Sequence, residues 1–356
     1  MVQSGRYINW ENSRTEVFIN PKLNQDQLIL PKKLPNLSHH IWITSSGTFQ
    51  LKYIALSKSA FLSSASAVNT FLKSNCSDIW LHALPDFHVG GLAIWARAYL
   101  SHAKVVVQKK WNPFDFVKLA EEESATLTSL VPTQLYDLVK HGLKAPISLR
   151  AVIIGGGGIS EVLRNRAVQL SWPILPSYGL TECSSQVATA KDHKSPLIPL
   201  PHIQYRIDEN DYLFIKSSSL LSGYAMIDEK NVSWSDPKIE GWFKTEDKVK
   251  IIKGGLEVIG RDSSFVKISG ESVNLHRLNH ILESVRIEVE VESDMAVIAV
   301  PDQRLGHSVR LMTSSFKNIE KVIKKFAEKV PPFERIRSVH VMRELPRNAM
   351  GKISLT

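Results

Sequence analysis

Leu149 to Leu163 reads LRAVIIGGGGISEVL: an apolar, β-branched run, then four consecutive glycines from Gly155 to Gly158, then a serine opening a helical pattern. Such a run suits a strand buried on both faces, as in a parallel sheet covered by helices. Gly155, Gly156, Gly157 and Gly158 let the backbone lie flat against a planar ring or an acyl group, because no Cβ intervenes. A tight turn would use the same residues.

The same logic extends outward from about residue 40 to 175. HHIWIT, DIWLHAL, AKVVVQ and TLTSLVP read as strands, and SKSAFLSSASAVNTFLKSN and FDFVKLAEEE carry helical spacing. This alternation predicts an α/β fold with a largely parallel sheet and ligands gathered at the carboxyl ends of its strands. From Ile203 to Ile259 the helices vanish, and short strands (QYRIDEND, YLFIKS, WFKTED, KVKII, GLEVIG) are separated by Asp, Asn and Gly turn signals, which predicts a small β subdomain. After Gly260 helix, strand, strand, helix and strand form a compact α+β unit. The expected organisation is therefore a large N-terminal domain over 1–260, with its β subdomain at about 203–260, and a small C-terminal domain over 261–356.

The 356 residues, 43% hydrophobic, can bury a sizeable core without staples. Two cysteines, Cys76 and Cys183, make no disulfide framework and predict free thiols in a reducing, cytoplasmic setting. No window approaches the ~20 apolar residues of a membrane span, and the N-terminus has no apolar signal region. The formal charge of +9 is spread rather than blocked, with no zinc-finger spacing and no aromatic-basic RNA signature. That pattern argues against nucleic acid as the partner and suits a basic cleft for small polyanions.

Five segments carry candidate chemistry. Thr44 to Lys52 (TSSGTFQLK) offers Thr44, Ser45, Ser46, Gly47 and Thr48, whose amides and hydroxyls can wrap a phosphate chain, and Lys52 as a mobile charge. It lacks the spacing of a Walker loop, and an ordinary serine-rich strand-helix loop would read alike. In SYGLTECSSQ, Tyr178 and Gly179 can receive a base, Thr181 a phosphate, and Glu182 a magnesium ion, which needs hard oxygen ligands. Asp247, ending WFKTED, can accept ribose hydroxyls, and Arg261 can reach the same ribose or the phosphates. His88, in LPDFHVGGL, can gate or bind an acyl group, although a packed loop histidine fits as well. The last eleven residues, PRNAMGKISLT, set Lys352 on a glycine-flanked tail.

Taken in this order, the segments resemble the adenylate-forming superfamily of acyl-CoA and aryl-CoA ligases, luciferases and peptide-synthetase adenylation domains. The resemblance runs from about Ile41 to Lys352. Within it, LPDFHVGGLAIWARA, GGGGI, SYGLTECSSQVAT and PRNAMGKI look most like the o-succinylbenzoate-CoA ligases of menaquinone biosynthesis.

The resemblance implies ATP, Mg2+, CoA and an aromatic carboxylic acid as ligands, with Lys352, Glu182 and Thr181 catalytic. It places Thr48 and Glu182 at the metal, and Gly158, Ser184, Ser185 and His88 at the acid. The small domain would rotate about the Gly260–Ser263 junction, delivering Lys352 for adenylation and then the Ser269-Gly270-Glu271 loop for CoA. Three departures from the family pattern accompany these expectations. Phe49, Gln50 and Leu51 replace a glycine and a proline of the phosphate loop, Ser263 stands at the hinge with Asp262 one place early, and the region ahead of Ile41 is shorter than usual. Two other classes share many of these residues: an adenylation enzyme loading an aryl acid onto a carrier protein, and a non-catalytic nucleotide- or acyl-binding relative.

Overall fold

The computed structural model describes residues 8–19, 34–44, 52–227, 232–261, 264–347 and 353, and the statements below concern these. The chain opens with β1 (Glu16–Phe18), β2 (His40–Thr44) and β3 (Lys52–Ser57), followed by α1 (Lys58–Leu72). Strand and helix then alternate: β4 (Ile79–His82), α2 (Val89–Ser101), β5 (Lys104–Val107), α3 (Pro113–Glu122), β6 (Leu127–Leu130) and α4 (Pro132–Lys140). The alternation ends with β7 (Ala151–Ile154), α5 (Glu161–Gln169) and β8 (Ile174–Leu180).

An all-β stretch follows: β9 (Ser185–Thr189), β10 (Ile198–Pro199), β11 (Gln204–Ile207), β12 (Tyr212–Lys216), β13 (Gly223–Ile227) and β14 (Val232–Ser235). It closes with β15 (Lys238–Ile239), β16 (Trp242–Ile252) and β17 (Gly255–Arg261). The remainder comprises β18 (Phe265–Ile268), β19 (Glu271–Asn274), α6 (Leu275–Glu288), β20 (Met295–Asp302), β21 (Gly306–Thr313), α7 (Ile319–Ala327) and β22 (Ile336–Val341).

The central sheet has the order β10-β9-β8-β7-β6-β4-β5, parallel from β8 to β5 and antiparallel at β9 and β10. Chain order reverses at β4, which lies between β5 and β6, so the loops after β4 and β6 diverge and open a crevice there, as at other topological switch points. Helix starts are fixed locally. Ser160 Oγ accepts from Leu163 N at 3.3 Å, which ends the glycine run in a capped α5, and Pro113 enters α3 behind the Asn112 cap. Val152 and Ile154 are fully buried between helices, as the β-branched run requires. From Ile268 onward a separate core forms around Leu278, Leu282, Val309, Leu311, Val322 and Phe326. Ile287 of α6 instead joins the core beneath α5, and Arg166 donates to its carbonyl at 3.2 Å.

Two sequence expectations need correction, and a third segment gains a definite form. The segment after Thr44 does not lead from a strand into a helix: β2 and β3 pair antiparallel and belong to a separate sheet, β1-β2-β3-β13-β14, so Thr44 and Lys52 flank a connection between paired strands. WFKTED and KVKII are one strand, β16, so Asp247 lies within a strand and not at its end, and Arg261 closes β17 opposite it. The Ser269-Gly270 pair is the two-residue turn of the β18–β19 hairpin, with φ of 54° and 84°, the positive values such a turn needs.

Candidate active site

Two polar clusters assemble where β8 ends. Tyr178 lies on the last residues of β8, and its hydroxyl donates to Asp247 Oδ2 at 2.6 Å. Arg261 Nε donates to Asp247 Oδ1 at 3.0 Å from the neighbouring strand. The Asp247 side chain is nearly inaccessible, and Thr245 Oγ1 accepts from its backbone N–H at 3.1 Å. A carboxylate offers about four lone-pair positions, so both oxygens can accept again from a ligand. Burial, and behind it the Asp247 charge and hydrogen bond, push the Tyr178 phenol well above its ordinary range. Burial works to lower the Arg261 pKa, yet Asp247, with Glu182 and Glu246 nearby, holds it above the usual guanidinium value.

Glu182 centres the second cluster. It sits in the short helical turn Thr181–Cys183, half-buried beside the half-buried Thr181. Tyr224 donates its hydroxyl to Glu182 Oε1 at 3.0 Å, and the Lys52 ammonium lies 5.5 Å from the centroid of the Tyr224 ring. Burial and then the Glu182 charge raise the Tyr224 pKa, so its proton stays on the phenol. Gly179 must be glycine here: a Cβ would stand 2.0 Å from the Ser185 carbonyl oxygen.

The glycine run brackets this centre on the other side. A Cβ on Gly155 would come within 2.9 Å of Ser177 Oγ, and one on Gly158 within 2.1 Å of the His280 ring, so α6 rests directly on the run. Gly156 has φ of 77°. Gly157 and Gly158 line a cavity of about 1130 Å³ whose floor is the loops after β4, β5, β6 and β7 and whose far wall is α6 and β20. Ile353, the residue after Lys352, lines it as well. Tyr178, Glu182 and Asp247 are not among its lining residues; they belong to the polar clusters at the end of the adjacent strand β8.

The remaining expected residues divide. His88 caps α2 and packs its ring 4.6 Å from that of Phe87; Phe87 lines the cavity and His88 does not. Ser184 is fully buried and donates to the Ser219 carbonyl at 2.9 Å, so it holds the fold rather than facing a ligand. Ser45, Ser46, Gly47, Thr48, Asp262, Ser263 and Lys352 lie outside the described residues. Ser185, with φ of 116°, leads to a residue absent from the sequence reading: Arg97, fully buried on α2, donates to Ser185 Oγ and Ser129 Oγ, each at 3.3 Å. Among the described residues no carboxylate pairs with it, and burial lowers its pKa to about 9. A lone arginine in LAIWARAYL, an otherwise apolar helix, was the available signal.

The chain is thus a mixed α/β protein with two polar clusters at the carboxyl end of its parallel sheet, where open α/β sheets bind ligands. The chain belongs to the AMP-binding enzyme family, whose model matches residues 23–225. The 2-succinylbenzoate–CoA ligase of Salmonella typhimurium is 28% identical over 285 residues, covering 78% of this chain and 57% of that protein. The enzyme of the same name from Bacillus cytotoxicus is 27% identical over 331 residues, 87% of this chain and 67% of that one. The chain thus spans between half and about two thirds of the length of these relatives. Two solved structures share the fold. One is the o-succinylbenzoate CoA synthetase of Bacillus subtilis in complex with the acyl-adenylate intermediate, with a TM-score of 0.77, 22% identity, and coverage of 88% of this chain and 67% of that one. The other is ATP-bound MatB from Rhodopseudomonas palustris, with a TM-score of 0.72, 20% identity, and 88% and 66% coverage.

Proposed function

We propose that this chain is an ATP-dependent acid-CoA ligase acting on o-succinylbenzoate through an acyl-adenylate. The observation that carries the reading is the pair of clusters Tyr178–Asp247–Arg261 and Lys52–Tyr224–Glu182 beside the glycine run. Asp247 accepts the ribose hydroxyls, Tyr178 and the glycine run flank the base, and Arg261 and Lys52 face the phosphates. Glu182 suits a magnesium ion: it is a hard oxygen donor, and no cation pairs with it among the described residues. Bound there with the triphosphate, the ion would reduce phosphate charge repulsion.

In the first half-reaction a substrate carboxylate oxygen attacks the α-phosphorus, an O–P bond forms, and the bond to pyrophosphate breaks. Lys352, on the tail that leads to Ile353 in the cavity wall, stabilises the charge that builds in line. In the second, the CoA sulfur attacks the acyl carbon, its proton is lost, and AMP leaves. The C-terminal unit, 261–356, turns about the junction after Gly260 between the two steps, and the β18–β19 turn then borders the path of the thiol arm. The substrate choice rests on Arg97. A buried guanidinium without a carboxylate, hydrogen-bonded to Ser185, sets a positive field under the Ser185 turn that a second substrate carboxylate would complete. Two free cysteines, Cys76 and Cys183, and a helix set with no candidate membrane span among the described residues accord with a cytoplasmic enzyme.

The test is pyrophosphate release across aromatic and fatty acids, with and without CoA. Turnover of o-succinylbenzoate with formation of its CoA thioester is expected. Release with benzoate or a medium-chain fatty acid, and none with o-succinylbenzoate, would overturn the substrate. No release with any acid would overturn the ligase reading.

A further inference from the structure

Glu182 sits on a three-residue turn, Thr181–Cys183, and is held at two points by one segment, Leu221 just ahead of β13 and Tyr224 within it. Its backbone carbonyl accepts from Leu221 N at 2.8 Å, and three residues later the Tyr224 hydroxyl donates to its Oε1 at 3.0 Å. Tyr224 is itself placed by the sheet. Strand β13 pairs antiparallel with β3, Tyr224 opposite Ile54 and Met226 opposite Lys52, and Ala225 between them is fully buried. Lys52 is therefore the diagonal neighbour of Tyr224, which puts its ammonium over the ring. One aromatic side chain thus touches both the carboxylate assigned to the metal and the lysine assigned to the phosphates.

We propose that Tyr224 is a positioning residue for the metal-nucleotide complex: its hydroxyl occupies Glu182 Oε1 and presents Oε2 to the ion, while its ring carries Lys52. The inference rests on the ligase reading above. Partners that orient a metal-binding carboxylate typically contribute 10–100-fold to metal affinity, so removing this hydroxyl is expected to weaken the metal by about tenfold.

The measurement is the titration of free Mn2+ by its paramagnetic resonance signal in the presence of α,β-methylene-ATP, which cannot transfer its adenylyl group to the acid because its α–β bridge does not break. It is applied to the wild type, Tyr224→Phe, Glu182→Gln and the double variant. Phenylalanine keeps the ring under Lys52 and removes only the hydroxyl. Tyr224→Phe should bind Mn2+ about tenfold more weakly, bind the nucleotide without metal as the wild type does, and unfold at a similar temperature. In the Glu182→Gln background the same change should add nothing, because the hydroxyl acts through that carboxylate. Wild-type binding of the Mn2+-nucleotide complex with unaltered affinity in Tyr224→Phe overturns the role of Tyr224 alone. Equal losses in both backgrounds overturn it too, since a purely structural tyrosine would act independently of Glu182. A wild type that binds no Mn2+-nucleotide complex overturns the ligase reading itself.

Discussion

Asp247 and Arg261 stand opposite each other in the β16–β17 pairing, and the guanidinium Nε meets Asp247 Oδ1 at 3.0 Å. One carboxylate therefore joins the last strand before the C-terminal unit to Tyr178 at the end of the parallel sheet. Asp247→Ala removes the carboxylate that Arg261 pairs with, which is also the proposed ribose acceptor. A hydrogen bond to a charged group contributes about 1.5–3 kcal/mol, so the KM for ATP should rise roughly 10- to 100-fold while kcat falls less. The ATP dependence of pyrophosphate release measures this, and an unchanged KM would remove Asp247 from the nucleotide site.

Lys352→Ala should separate the two half-reactions. A charge aimed at a developing transition state typically contributes ~10² to 10³ in rate, and in the proposed scheme only adenylation uses this lysine. Adenylate formation should collapse while transfer from a pre-made acyl-adenylate to CoA persists. Equal loss in both steps would contradict a rotating C-terminal unit.

Much of this arrangement is legible in the sequence, and the illegible parts share a cause. Strands β4 and β7 announce themselves because burial on both faces demands near-continuous apolar runs, IWL and AVII. Strand β16 looked like two, since its inward positions after Phe243 are Thr245 and Asp247, polar groups satisfied by the Leu213 carbonyl, Tyr178 and Arg261 rather than by apolar neighbours. The period-2 signal breaks where the site begins. Strand β3 was hidden by the helical pattern that starts at its last residue, with Ser57 serving as the α1 cap. Tyr224 gave no local signal at all, because its partner Glu182 is 42 positions away and only the β3–β13 pairing brings them together.

Gly179→Ala should disable the site by geometry rather than chemistry. The added Cβ would lie 2.0 Å from the Ser185 carbonyl oxygen and 2.7 Å from its carbon, both backbone atoms of the paired strand β9. No rotamer change relieves that contact, so β8 and β9 must separate around Tyr178 and Ser185. A loss of about 2–4 kcal/mol in unfolding free energy is expected, with activity reduced at temperatures where the variant is still folded. Gly90→Ala is the control, since Gly90 has no positive φ and a Cβ there meets only Leu84 Cδ1, at 3.4 Å.

His202 carries a pH dependence outside the site. Burial lowers its pKa from 6.5 to about 4, and neither ring nitrogen has a hydrogen-bond partner among the described residues. Between those two values the unfolded chain binds the extra proton and the folded chain does not. The histidine's contribution to stability is therefore intact above pH 6.5 and declines as pH falls toward 4. His202→Phe removes the titration and two unpartnered nitrogens. Melting temperatures at pH 5 and pH 7 should differ less in the variant than in the wild type, by roughly 1–3 °C. An identical pH dependence would exclude His202 as a contributor.

Arg97 tests the substrate most directly. Its guanidinium is fully buried, lies 5.5 Å from the Trp80 ring centroid, and among the described residues bonds the hydroxyls of Ser129 and Ser185 rather than a carboxylate. Holding a buried cation without a counter-charge is unfavourable, and an acid with a second carboxylate would offset that cost on binding. Arg97→Lys keeps a charge but not the planar fork that reaches both serines, so it should bind o-succinylbenzoate more weakly while leaving the ATP site unaltered. Arg97→Met, of similar length, removes the charge. Its kcat/KM for o-succinylbenzoate should fall about 10²-fold, and the discrimination against analogues lacking the ring carboxylate should largely disappear, because the penalty for leaving the guanidinium unpaired is gone. The ATP KM serves as the internal control and should stay within about twofold, as the hydrogen bonds of Arg97 go to Ser129 and Ser185 and not to Tyr178, Asp247 or Arg261. Undiminished preference for the dicarboxylate in Arg97→Met would place the ring carboxylate elsewhere and leave Arg97 as a buttress of the Ser185 turn.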